Sequence, residues 1–256
     1  MNARAKAVRE KRRSKSRTRT GAPPRERAMP LTVGLFEYEI THDLIPDPLV
    51  QALPREAQDR LSAAAEHVWE APAECVGELE AIVAEFPHIP TMHNFLGIAY
   101  RSAGRRDDFE CITRETYRLF PGYLFGVCNY ALLCIQDGLI DEAAAALAGR
   151  FMLPLWYPDR RTFHVSEAVS LHGTLATYLA AAGSFDAALS HLKLAKGVEP
   201  DHPMIDAVER DLAVRAMTAG MVRLATLTPL VESRRSGAAG GATGSVLGRA
   251  SAAGRL

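Results

Sequence analysis

Three residues in the second half of the chain have types and a spacing suited to acid–base or metal chemistry: His164, Glu167 and His172. The first two are three positions apart and share one face of a helix, with His172 about two turns further on. Imidazole and carboxylate groups transfer protons and bind metal ions. A hydrolase or metal enzyme built on these residues is therefore one hypothesis, although structural roles within helices also explain both histidines.

The motifs that usually carry catalysis do not occur elsewhere in the sequence. It has no H-E-x-x-H, nucleophile elbow, phosphate loop or G-x-G-x-x-G. Its four cysteines, Cys75, Cys111, Cys128 and Cys134, form no C-x-x-C pair, which argues against a zinc site or a disulfide framework. We therefore expect no catalytic residue, cofactor or metal, and we predict that the cysteines are small buried hydrophobes.

Residues 150–163 concentrate side chains of the types that dominate binding hot spots. This segment, RFMLPLWYPDRRTF, includes Trp156, Tyr157 and Arg161, and aromatic residues and arginine are enriched in such hot spots. One interpretation places these side chains on a recognition surface. The other has the aromatic residues fill a gap inside the fold, and the sequence leaves both open.

The elements that must position these residues are almost all helices. Apolar residues return every three or four positions over residues 47–225, and the breaks fall at Gly or Pro. Only residues 35–40 alternate polar with apolar side chains, and six residues cannot form a sheet alone. We therefore predict an all-α protein.

The helical region repeats itself at a constant spacing. Gly104 and Gly138 are 34 positions apart, as are Pro87 and Pro121. Gly183 follows Gly138 by 45 positions, which is the same period with eleven residues inserted. A fixed period of this length is typical of proteins built from stacked helical units. We predict that each glycine permits the turn between the two helices of its unit.

Small residues recur at matching positions in the copies: Gly97, Ala131, Ala143, Ala176 and Ala188. They allow two helices to approach closely. With the 34-residue period and the terminal prolines, this pattern resembles the tetratricopeptide repeat, whose L-G-x-x-Y-like group appears here as Leu96, Gly97 and Tyr100. The resemblance implies a right-handed solenoid of helical hairpins, with about three to four repeats and a capping helix, that binds other proteins.

The predicted segments follow one another along the chain. They are a basic disordered tail (1–28), an extended or short-helix segment (29–55), repeats (56–89, 90–123, 124–149 and 164–200) with an insertion (150–163), a capping helix (201–232) and a disordered Gly/Ala/Ser tail (233–256). Both tails contain too few apolar residues to form a core. A start of translation at Met29 stays an alternative to Met1.

The resemblance also implies a concave groove lined by the first helix of each unit. By position, the residues facing it are Asn94, Ile98, Arg101, Phe125, Asn129, Leu132 and Gln136. Some family members hold a C-terminal carboxylate with Lys, Arg and Asn at such positions, but here only Asn129 fits that set, because Ser170 and Thr174 replace the basic residues. The apolar members of the groove favour an apolar peptide segment or a partner helix instead.

The formal net charge is zero, but the charges are unevenly distributed. Residues 1–28 carry eleven Lys/Arg and two Glu, and residues 233–256 carry four Arg and no acid, which leaves residues 29–232 with a net charge of −13. The basic start of the chain either docks on this acidic body or contacts nucleic acid weakly and without sequence specificity.

These features predict a non-enzymatic, cytoplasmic scaffold that binds a protein or peptide ligand. No run of apolar residues reaches the length that a membrane helix needs, so we expect no membrane contact. The alternative is a nucleic-acid-associated protein that acts through residues 1–28.

Overall fold

A computed structural model describes residues 29–33 and 36–220 of the chain. The two tails predicted to be disordered, residues 1–28 and 233–256, lie outside these ranges. Helices predominate in the described residues and strands are few, which confirms the mostly helical prediction. The segment predicted as a capping helix is described up to residue 220, and a helix covers residues 203–220.

The elements follow in this order: β1 (Met29–Val33), β2 (Phe36–Thr41), α1 (Pro48–Gln51), α2 (Arg55–Glu70), α3 (Val76–Glu85), α4 (Pro90–Ser102), α5 (Arg106–Leu119), α6 (Leu124–Gln136), α7 (Ile140–Leu147), α8 (Leu153–Trp156), β3 (Thr162–His164), α9 (Val165–Ala181), α10 (Phe185–Val198) and α11 (203–220). Eight of these helices form four consecutive pairs whose two members pack together. The first pair is α2 with α3, the second is α4 with α5, the third is α6 with α7 and the fourth is α9 with α10. The first helices of successive pairs, α4, α6 and α9, also contact one another.

The turn inside three of these pairs is the same. Gly104, Gly138 and Gly183 have φ values of 73°, 77° and 80°, in the left-handed region that glycine adopts without steric cost. After Gly104, the Arg105 amide donates to the Tyr100 carbonyl at 2.9 Å, and the other two turns have the equivalent bond. This bond satisfies a carbonyl that the end of the helix leaves unpaired. The predicted role of the three glycines is thereby confirmed.

The small residues predicted at the helix interfaces are buried. Ala131, Ala143, Ala176 and Ala188 are fully buried, and a Cβ added at Gly97 would lie 3.6 Å from Cγ2 of Ile112 on the paired helix. A larger side chain at such a position pushes the two helices apart. The helix pairs therefore depend on small residues at these contacts.

The prediction that residues 35–40 would not form a sheet is wrong. Strand β2 pairs with β1 in antiparallel orientation and with β3 in parallel orientation, which gives a three-stranded sheet. The third strand comes from the insertion, more than a hundred residues further along the chain. Tyr38 and Ile40 of β2 are buried, and the Tyr38 ring meets the Phe163 ring edge to face at 5.4 Å. A local sequence pattern cannot reveal such a distant partner strand.

The buried apolar side chains of the described residues form three clusters. One joins α2 to α5, the second joins α6, α7 and α9 to the sheet and the insertion, and the third lies between α9, α10 and α11. Three of the four cysteines are buried in these clusters, as predicted. Cys111 is exposed, so the prediction is wrong for this residue, because the buried face of α5 runs through Ile112, Thr113 and Thr116 instead.

Replacing Ala188 with Leu tests the close packing of α9 and α10. Because Ala188 is fully buried between the two helices, we expect overpacking to lower the free energy of unfolding by about 1 to 3 kcal/mol. Chemical denaturation measures this change. Ala187→Leu, at the neighbouring exposed position, is the matched control and should change stability by less than about 0.5 kcal/mol.

Candidate functional site

A cleft of about 260 Å³ opens where the second helix pair meets the third. It is lined by residues from the end of α4, the start of α5 and the second half of α6: Arg101, Gly104, Arg106, Phe109, Glu110, Asn129, Leu132, Leu133 and Gln136. The α6 residues follow helical spacing and so lie on one face of the helix. The turn at Gly104 brings the first turns of α5 back against this face.

Four residues predicted to face the groove line this cleft together: Arg101, Asn129, Leu132 and Gln136. The α5 residues of the cleft, Phe109 among them, were not predicted, because the groove was expected to be lined by first helices only. The period of the repeat predicts which residues share one face of a helix. It does not show that the start of α5 lies against the space between two helix pairs. The charged run at residues 105–108 was the available signal for that helix start.

The cleft combines an apolar wall with one arginine, Arg101, that forms no ion pair with a described residue. Phe109, Leu132 and Leu133 supply the apolar surface. The charge of Arg106 is paired, because its Nε donates to Glu110 Oε1 at 2.7 Å. The Arg101 guanidinium lies 5.7 Å from the centre of the Phe109 ring. No carboxylate of residues 29–33 or 36–220 forms an ion pair with Arg101. Its charge is therefore available to an anionic group in the cleft.

Asn94 lies beside the cleft, bonded to one of its lining residues. Asn129 Nδ2 donates to Asn94 Oδ1 at 2.9 Å, which links α4 to α6. Both amides border a small polar crevice that also includes His93. His93 Nε2 donates to the Pro87 carbonyl at 3.0 Å, which leaves its buried Nδ1 as a hydrogen-bond acceptor without a partner in the described residues. The crevice extends the cleft with hydrogen-bonding groups.

Two further predicted groove residues, Ile98 and Phe125, also lie outside the lining of the cleft. Ile98 is half-buried and packs against the core cluster of α2 to α5. Phe125 is also half-buried, with its ring 5.7 Å from that of Tyr123. Both side chains therefore contribute to packing within the fold in this structure.

The insertion packs into the core through Trp156. Its side chain is only 7% exposed, its Nε1 donates to the Arg150 carbonyl at 2.8 Å, and the Arg150 guanidinium covers the ring at 3.6 Å from its centre. Of the two interpretations of the insertion, this burial agrees with the filling of a gap inside the fold. A partner could reach the Trp156 ring only if the insertion moved.

The other two insertion residues lie in different surroundings. The hydroxyl oxygen of Tyr157, which is half-buried, accepts from the Leu124 amide at 3.3 Å and so satisfies a donor at the start of α6. Arg161 is exposed, and its side chain donates to the carbonyls of Pro158 and Arg160. Of the three insertion residues predicted to bind a partner, Arg161 is thus the one that is exposed.

The three residues considered for acid–base or metal chemistry do not converge. Glu167 accepts from both Arg160 guanidinium nitrogens at 2.9 and 2.7 Å and from the His164 amide at 2.9 Å, which closes a capping box at the start of α9. His172 contacts His191 of α10 instead, with their Nδ1 atoms 3.0 Å apart. No group of three or more metal-binding side chains occurs in the described part of the chain.

The positions considered for a carboxylate clamp are also inside the fold. Thr174 is fully buried and Ser170 is half-buried.

In the described ranges, none of the helices combines the length and apolar content needed to cross a membrane. No family model matches the sequence, and comparisons with curated proteins and with solved structures give no match.

Replacing Trp156 with Ala measures how much the insertion stabilises the core. We expect the free energy of unfolding to fall by about 3 to 5 kcal/mol, as is usual when a large buried aromatic side chain is deleted. Thermal and chemical denaturation provide the readout. Leu155→Ala, on the exposed side of the same short helix, should cost less than about 1 kcal/mol. A change at Trp156 no larger than in this control would contradict the packing described.

The histidine contact predicts a stability that decreases in acid. Burial, and to a smaller extent His191, lowers the pKa of His172 to about 3, and burial also lowers the pKa of His191. Between about pH 6.5, the ordinary histidine value, and the lowered pKa, the unfolded chain binds more protons than the folded one, so the free energy of unfolding decreases as pH falls. Each histidine contributes at most about 1.4 kcal/mol per pH unit to the slope of the unfolding free energy against pH.

A variant without the His172 imidazole tests this pH dependence. We expect His172→Leu to have a shallower slope of unfolding free energy between about pH 6 and pH 4 than the original protein, by about 1 kcal/mol per unit. His88→Gln, which removes an imidazole at an exposed position, is the control variant. Equal slopes in all three proteins would show that His172 titrates normally.

Proposed function

We propose that this protein is a non-enzymatic scaffold of helical repeats, of the tetratricopeptide kind, that binds a peptide segment in the cleft between α4, α5 and α6. The observation that carries the proposal is the meeting of Arg101, Asn129, Leu132 and Gln136, from two successive helix pairs, around one cleft. The recurrence of the same glycine turn in three pairs supports the repeat architecture.

The dimensions of the cleft favour a peptide over a cofactor or a small-molecule substrate. Sites for small molecules usually enclose about 300 to 1,000 Å³, and this cleft is smaller, at about 260 Å³. The titratable side chains of its lining are Arg101, Arg106 and Glu110, and the Glu110 carboxylate accepts from Arg106 instead of facing a second acid or a histidine. A volume of this size suits one or two side chains of an extended segment.

The chemistry of the walls defines the ligand further. Phe109, Leu132 and Leu133 suit an apolar side chain, whereas Arg101 suits a carboxylate. The amides of Asn129 and Gln136 supply further hydrogen bonds. The ligand that fits is therefore a peptide in which a large apolar residue lies next to an acidic side chain or a terminal carboxylate.

Two pools of synthetic peptides test this function. One pool contains heptapeptides with Leu or Phe next to Asp or Glu, and the other replaces each acidic residue with Lys. We expect the acidic pool alone to shift the NMR signals of the Asn129 and Gln136 side-chain amides and of Arg101 Nε. Because a hydrogen bond to a charged group contributes about 1.5 to 3 kcal/mol, Arg101→Gln should weaken binding at least tenfold.

A matched arginine distinguishes the cleft from general charge attraction. Arg118 is exposed near the end of α5 and forms no ion pair with a described residue, so Arg118→Gln removes one positive charge without touching the cleft. This variant should bind the acidic pool like the original protein. Equal losses in the two variants, or equal affinity for the two pools, would contradict a binding site at Arg101.

The alternative function, association with nucleic acid through residues 1–28, concerns residues outside the described ranges and stays a prediction.

A further inference from the structure

An exposed tryptophan interrupts the polar surface of the first helix pair. The buried stripe of α2 consists of Ala57, Leu61, Ala64 and Val68. Trp69 lies outside this stripe and is 69% exposed, and no other Phe, Tyr or Trp side chain of residues 37–220 is exposed. The outer faces of terminal units in helical repeat arrays are normally polar, because no further unit covers them. Tryptophan is also one of the residue types enriched in binding hot spots.

Carboxylates surround this tryptophan along the chain. Glu66 lies one helical turn before Trp69, Glu70 follows it directly, Glu74 lies in the connection to α3, and Glu78 lies in the first turn of α3. All four are exposed, and none forms an ion pair with a described residue. We refer to Trp69 and these four glutamates as the Trp69 face.

The positive charges of the first helix pair do not neutralise this face. The pair has two arginines, and both are engaged elsewhere: Arg55 Nε lies 3.1 Å from Asp59, and Arg60 lies 2.6 Å from Glu85. The effect of the uncompensated carboxylates is visible at Cys75, where burial raises the pKa of the thiol and Glu78 and Glu74 raise it further. The Trp69 face is therefore negative as well as apolar.

A cationic segment complements such a face in two ways. A guanidinium or ammonium group is attracted to the face of an indole ring, and it also pairs with neighbouring carboxylates. Residues 1–28 of this chain carry eleven Lys/Arg and two Glu, a net charge of +9. Their positive charge complements the negative charge of the Trp69 face.

The same residues can reach the face from their point of attachment. They precede Met29, the first residue of β1, and 28 residues span up to about 90 Å when extended. A compact domain of about 190 residues has a radius of gyration of only about 16 Å. Covalent attachment also gives the segment an effective concentration in the millimolar range, so that weak contacts suffice for docking.

We propose that residues 1–28 dock on the Trp69 face of the same molecule, with Lys and Arg side chains over the indole and against the four glutamates. The docked segment shields the exposed tryptophan and neutralises the most acidic end of the helical array. Because its contacts are electrostatic and lie at the surface, salt weakens them.

Tryptophan fluorescence of the full chain reports on this docking. The protein has two tryptophans, and Trp156 is buried, so a water-soluble quencher such as acrylamide acts mainly on Trp69. We expect weak quenching at about 0.01 M salt and at least about twofold stronger quenching at about 1 M salt, where the Debye length falls from about 30 Å to about 3 Å. Trp69→Phe should abolish the salt dependence, which identifies the reporter.

Charge variants identify the docked segment. Replacing Arg9, Lys11, Arg12, Arg13 and Lys15 with Gln should give strong quenching at every salt concentration. Replacing Glu66, Glu70 and Glu74 with Gln removes negative charge from the Trp69 face and should also give strong quenching at every salt concentration. The matched control replaces Arg234, Arg235, Arg249 and Arg255 with Gln, and it should behave like the original protein.

Three outcomes would overturn the proposal. Strong quenching that is independent of salt in the original protein would show that the Trp69 face is uncovered. Loss of protection only in the Arg234, Arg235, Arg249 and Arg255 variant would assign the face to the other end of the chain. Protection that grows with protein concentration would show that the occupant belongs to a second molecule.

Discussion

The structure depends on the close approach of the two helices in each pair. A single amphipathic helix cannot bury its apolar stripe by itself, so it needs a partner at short distance and a neighbouring pair on its other side. Alanine and glycine at the contact points allow that distance, as at Ala143 and Ala188, which have no exposed surface. In three of the four pairs, a left-handed glycine after the first helix then reverses the chain without leaving the last carbonyls unpaired.

The insertion shows how an interruption of this pattern becomes part of the fold. Its strand β3 adds to the hairpin of β1 and β2, and Phe163 packs with Tyr38 in the same core cluster as Trp156. Its Tyr157 hydroxyl accepts from the first amide of α6. The insertion thus holds the hairpin of β1 and β2 against the third helix pair, and the burial of its aromatic side chains supplies the stabilisation.

Two surfaces of opposite character carry the functional proposals. The cleft offers Arg101 beside apolar side chains, and the Trp69 face offers carboxylates beside an indole. An acidic ligand suits the first and a basic segment suits the second, so the two surfaces need not compete for one ligand. This arrangement is possible because the arginines of the first helix pair are engaged in ion pairs, whereas Arg101 is not.

The sequence by itself determined the predominance of helices, three glycine turns and four positions that line the cleft. These features depend on local periodicity and on the conformational freedom of single residues, such as Gly104 with its positive φ. Only the tertiary structure decided which chain segments meet. The partner of β2 is more than a hundred residues away, Phe109 closes the cleft from a second helix, and Trp156 turns inward although its type is common on binding surfaces. Such contacts arise from packing between distant segments, and spacing along the chain does not encode them.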